Sequence, residues 1–96
     1  MLLFCSFNAD AKTIRVGKGR SVTSIHEAII AAIDRDIILV DAGIYHEQNL
    51  IINKSIALIG IGFPILDGDH KYEIISIKAK GVIVDGFKVI HSGVSS

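Results

Sequence analysis

Residues 53–62 read NKSIALIGIG, and residues 79–88 read AKGVIVDGFK. At an offset of 26, Asn53-Lys54-Ser55-Ile56-Ala57-Leu58-Ile59-Gly60 falls on Ala79-Lys80-Gly81-Val82-Ile83-Val84-Asp85-Gly86. The flanks follow: Leu50-Ile51-Ile52 falls near Ile75-Ser76-Ile77, and Ile65-Leu66-Asp67 near Lys88-Val89-Ile90. One step back, Ile65-Leu66-Asp67 also matches Ile38-Leu39-Val40. Three short strands therefore recur about every 25 residues, a period that signals stacked units.

Hairpins explain this repeat poorly, because Asp85-Gly86 sits between two strand segments with almost no polar loop. A right-handed, single-stranded parallel β-helix fits better. Each turn of the coil supplies three short strands, and each strand stacks about 4.8 Å above its equivalent. Glycine and small residues are expected at the corners, where φ turns positive. The composition agrees. Half of the 96 residues are hydrophobic, yet the aromatics are only four Phe and two Tyr. Ile and Val are stiff at χ1 and suit pleated, buried surfaces. IILV (37–40) is apolar throughout and reads as a strand covered on both faces.

Upstream, KTIRV (12–16) alternates like a strand and GKGR turns. SIHEAIIAAID (24–34) then reads as the helix of the chain. Ser24 and Glu27 form a capping box, and Ile25, Ala28, Ile29, Ala32 and Ile33 make one apolar stripe. The first coil of a solenoid exposes a row of unpaired backbone and an open core. The helix is thus expected to cap that end, with Ile25, Ile29 and Ile33 plugging it. The other end carries no such element, so 12–96 reads as the N-terminal cap and first two to three coils of a longer, truncated β-helix. Before it, MLLFCSFNADA (1–11) has a short apolar run and ends Ala9-Asp10-Ala11, the A-x-A form of a signal-peptidase site. It reads as a signal peptide missing its first residues. Secretion or a periplasmic location follows, and Cys5 leaves with the signal.

Acidic and basic residues balance at ten each, which offers no basic face for nucleic acid. No run reaches the roughly 18 apolar residues of a membrane span. VGKGRS (16–21) follows a strand and precedes a helix, but its glycine spacing fits neither the Walker nor the dinucleotide pattern, leaving a plain turn. Asp41, Glu47, Asp67, Asp69, Glu73 and Asp85 are scattered, and no catalytic constellation emerges. Asp67 and Asp85 read as corner residues, with Asp67 and Asp69 a second choice as oxygen ligands for a divalent ion.

The stretch 13–60, from TIRVGKG through S-I-x-E-A-I, D-x-I-x-V-x-x-G-x-Y-x-E and I-x-K-S-I-x-L-I-G, resembles the opening of pectin-lyase-like β-helix proteins. The following PILDG, IISIKAKGVIVDGFKVIHSG narrows the resemblance to the NosD family, periplasmic copper-linked maturation proteins of nitrous oxide reductase. That resemblance implies an accessory factor that works with an ABC transporter and helps assemble the copper site of nitrous oxide reductase. The alternative is the N-terminal part of a secreted carbohydrate-active enzyme, pectin lyase or pectinesterase-like, with catalytic residues beyond Ser96. A binding β-helix without chemistry is the third reading.

Copper directs attention to the histidines, since imidazole suits it. His26 reads as a solvated helix residue and His91 as a strand end. None of the four histidines has an H-x-H or i, i+4 partner. Stacking of coils makes His46 and His70 the candidate metal pair. Without a soft Met or Cys site, the 96-residue chain is expected to bind copper weakly or not at all.

Overall fold

The computed structural model describes residues 11–70 and 73–91. The signal-peptide reading falls, apart from Ala11, outside the described residues. In chain order the elements are β1 (Thr13–Val16), α1 (Ile25–Ala31), β2 (Ile37–Val40), β3 (Ile44–Tyr45), β4 (Leu50–Ile52), β5 (Ala57–Gly60), β6 (Ile65–Asp67), β7 (Ile75–Ile77), β8 (Ile83–Asp85) and β9 (Lys88–Ile90). All the strand pairings are parallel. The strands form three sheets, ordered β1-β2-β5-β8, β3-β6-β9 and β4-β7. From β2 onward consecutive strands belong to different sheets, and each stacks on the equivalent strand one coil away, while β1 and β2, separated by α1, pair within the first sheet. This is a parallel β-helix of about three turns with one short helix.

The repeat read in the sequence is the register of the sheets. Ala57 pairs with Ile83 and Leu58 with Val84. Leu50 pairs with Ile75, and Ile65 with Lys88. The alternate match of Ile65–Asp67 to Ile38–Val40 is not the one adopted. β2 stacks under β5, and β6 rests on the two-residue β3. A two-residue strand carries too little alternation to be read from sequence.

Alternation sorts the side chains. On the first sheet Ile14, Ile38, Leu58 and Val84 stack inward, and Val16 lies on Val40. Ile38, Val40 and Leu58 are fully buried, each contributing about 1.5–3 kcal/mol of burial. Leu50, Ile52 and Leu66 close the bore from the other sheets. The outward ladder differs from expectation. Ile37 is 37% exposed and Ile83 56%, so IILV is covered on one face rather than two. Among the described residues no helix covers that outer face, as one would in a doubly covered parallel sheet.

Helix α1 packs against β1, β2 and β4, across the first coil. Ile25, Ala28, Ile29 and Ala32 are buried. Ile33 is half exposed and plugs nothing. The helix ends at Ala31, and Ala32 is already extended at φ −76° and ψ 152°. Two groups stop it there. Lys54 Nζ donates to the carbonyls of Ile29, Ile30 and Ala32 at 2.6–3.0 Å. Asp36 accepts from the Ile33 N–H at 2.9 Å and pulls the chain out of helical register.

The N-terminus is held as firmly. Ser24 Oγ accepts from the Glu27 N–H, one half of the expected capping box, and among the described residues no bond runs back from the Ser24 N–H to the Glu27 carboxylate. Glu47, one coil on, accepts from the free N–H groups of Ile25 and His26 at 2.9 and 3.0 Å. The lid is thus tied down by an anion at its positive end and a cation at its negative end. Lys54→Met is expected to strand three carbonyls and cost about 2 kcal/mol, read as a lowered urea midpoint. An unchanged midpoint would show that packing alone holds the lid.

Candidate functional site

The residues that follow β3, β6 and β9 converge at one corner of the coil. Tyr45 pairs with Leu66, so the next step sets His46 beside Asp67. Asp67 pairs with Ile90, which sets His91 beside Gly68. Backbone bonds lock the turn: Gly68 N donates to Ile90 O and His70 N to His91 O. Asp69, His70 and His91 all have φ between 52° and 59°, and these left-handed bends fold the chain tightly around Asp67.

Two imidazoles and two carboxylates meet there. His46 Nδ1 lies 3.3 Å from Asp69 Oδ1 and 3.7 Å from Asp67 Oδ2. His91 Nδ1 lies 3.0 Å from Asp67 Oδ1. The ligand atoms of His46, Asp67 and Asp69 all fall within 4.8 Å of one another. Asp67 is buried, whereas His46, Asp69 and His91 reach solvent. Its carboxyl is held below the usual carboxylate range, first by the Asp69 N–H and then, against the opposing effect of burial, by His91 and His46. A carboxyl pair working as acid and base needs one member raised. The lowered value of Asp67 describes a fixed anion instead, suited to ligating.

The expected pair His46 and His70 is placed as follows. His46 faces both carboxylates. The His70 ring packs beside the His91 ring, with centroids 4.5 Å apart and planes tilted by 41°. His91, read as a plain strand end, is the second imidazole facing Asp67. The signal was available in the repeat: His91 follows the strand that stacks on Ile65–Asp67. The carboxylate pair Asp67 and Asp69 sits between the histidines.

Asp41 and Tyr45 have structural partners. Asp41 accepts from Arg20 Nε at 2.5 Å and Arg15 at 2.9 Å, and those bonds lower its pKa. Gly17 leaves room for the Asp41 carboxylate, since a Cβ there would collide with it. The glycines of VGKGRS are thus a turn, as the spacing indicates. The Tyr45 hydroxyl donates to Asp41 O at 2.8 Å, and burial pushes its pKa up, helped by Asp41 and Glu47. Within Tyr45-His46-Glu47, therefore, one side chain pins a corner, one joins the cluster and one caps the helix.

No family of known proteins, no curated protein and no solved structure matches the chain. Among the described residues, no helix is long and apolar enough to cross a membrane.

Proposed function

We propose that the chain is the capped N-terminal part of a periplasmic accessory factor of the NosD type, which serves copper-site assembly of nitrous oxide reductase alongside an ABC transporter. The observation that carries this reading is the match between motif and architecture. The residues on which the resemblance rests are those that build the capped coil. Ser24 and Glu47 hold the start of the helix, Lys54 holds its end, and Gly60 and Gly86 stack at one corner. The chain supplies a stacked surface of parallel strands, which suits a scaffold for handing over a metal.

Copper in this role is cargo. The donors at the coil corner are imidazole nitrogens and carboxylate oxygens, which suit Cu(II) better than Cu(I). The test is genetic. Deletion of the reading frame in a nitrous-oxide-reducing host is expected to leave nitrous oxide reductase exported but deficient in copper, by metal analysis of the purified enzyme. Reductase with a full copper complement from the deletion strain would refute the reading.

A further inference from the structure

We propose that His46, Asp67 and Asp69 form a binding site for one divalent transition-metal ion at the corner where β3 and β6 end, with His91 holding the other oxygen of the Asp67 carboxylate. The naming of copper as the physiological ion rests on the accessory-factor reading; the site itself rests on geometry and charge.

The geometry comes first. Ligand atoms on one tetrahedral ion with bonds of about 2.0–2.2 Å lie about 3.3–3.6 Å apart. His46 Nδ1 lies 3.3 Å from Asp69 Oδ1 and 3.7 Å from Asp67 Oδ2, close to that spacing. The wider spread within the His46, Asp67 and Asp69 set closes by side-chain rotation, because His46 and Asp69 are exposed and free to turn.

Charge is the second, independent observation. Asp36 and Asp41 are each neutralised by a permanent cation, Lys12 for the first and Arg15 with Arg20 for the second. Asp67 is only 8% exposed, yet among the described residues no lysine or arginine pairs with it or with Asp69. Its side-chain partners are the imidazoles of His46 and His91. A buried carboxylate beside a second carboxylate is costly without a cation, and a bound divalent ion supplies one. One imidazole nitrogen and two carboxylate oxygens, with no sulfur, suit a borderline divalent ion such as Cu(II) or Zn(II) better than Cu(I). His46 lies 21 and 23 residues before Asp67 and Asp69, and only stacking brings the three together.

Cu(II) and Zn(II) are to be titrated separately into the 96-residue chain near neutral pH by calorimetry, with electron paramagnetic resonance of the Cu(II) form. One equivalent is expected to bind, with hyperfine coupling from one imidazole nitrogen that is lost in His46→Ala. His46→Ala and Asp69→Asn are each expected to weaken binding by about 10–100-fold or more, since even supporting partners of a metal ligand are worth that much. Both side chains are exposed, so these variants retain the fold, which thermal melts verify. His26→Ala, on the lid, is expected to bind like the parent. Binding that survives His46→Ala and Asp69→Asn together, or a folded parent chain that takes up neither ion, overturns the site. The two proposals fail separately. No binding alongside loss of reductase copper in the deletion strain removes the site and leaves the accessory role. Binding alongside full reductase copper does the reverse.

Discussion

Gly86→Val is expected to abolish cooperative unfolding of the chain. Gly86 has φ +86°, and a Cβ built on it would lie 2.5 Å from the Gly60 carbonyl oxygen. Gly60 mirrors the problem, because a Cβ there would meet the Gly86 oxygen and the Pro64 ring. Two coils touch backbone to backbone at this corner, and neither can retreat without opening the ladder between β5 and β8. The left-handed conformation alone costs a β-branched residue about 1–2 kcal/mol, and the clash adds about 1–3 more. Against a total stability on the order of 5–15 kcal/mol, that removes a large share. Gly81→Ala is the internal control. Gly81 also has positive φ, at +71°, but its nearest neighbour to a new Cβ is Ser55 Oγ at 4.0 Å. It is expected to lose about 1 kcal/mol, from backbone strain alone. Urea melts followed by circular dichroism separate the two. Equal losses would mean that strain, and not coil contact, makes both positions glycine.

The second large effect is expected at Asp36→Ala. Asp36 is fully buried and accepts from Lys12 N, Lys12 Nζ and Ile33 N at 3.0, 2.6 and 2.9 Å. It ties the start of β1 to the end of the lid. Removing it leaves two backbone N–H groups and an ammonium without their acceptor, for a loss of about 3–5 kcal/mol. Asp36→Asn keeps an acceptor and is expected to lose less. The same residue sets an acid limit. Burial pushes its carboxyl up, but the Lys12 side chain and the Ile33 and Lys12 N–H groups outweigh burial and hold it at about 2, from 3.8. A pKa lowered by folding contributes stability that is complete above the unfolded value and is lost as pH falls toward the folded one. The melting temperature is therefore expected to drop between about pH 4 and pH 2, and Asp36→Asn should flatten that drop. An identical acid profile in the variant would assign the limit to other carboxylates.

The stacking was legible because burial repeats with the coil. Aliphatic triplets recur wherever a strand passes the bore, and Leu50, Leu58 and Val84 fall at their paired places from spacing alone. The lid was legible from its cap and stripe, though not its end. Ile33 continues the apolar pattern, but Asp36 and Lys54 act from outside the helix to stop it. The corners were harder to read. Arg35, Asn49, Phe63, Asp69, His70 and His91 take positive φ without being glycine. No local preference marks an arginine or a phenylalanine for that conformation, and closing the coil imposes it.

The candidate site shows the same division. That the chain carries histidines and aspartates near strand ends is a property of the sequence, as is the aliphatic period that makes it coil. Which of them meet depends on the length of each turn, since the offset between stacked partners is 21 residues from β3 to β6 and 23 from β6 to β9. His46 beside Asp67, and Asp67 beside His91, are decided by those offsets and by the tight bends at Asp69 and His70. Periodicity of burial is a short-range signal that each strand carries by itself. Convergence of polar groups across coils depends on every loop between them, and only the folded chain sums those lengths.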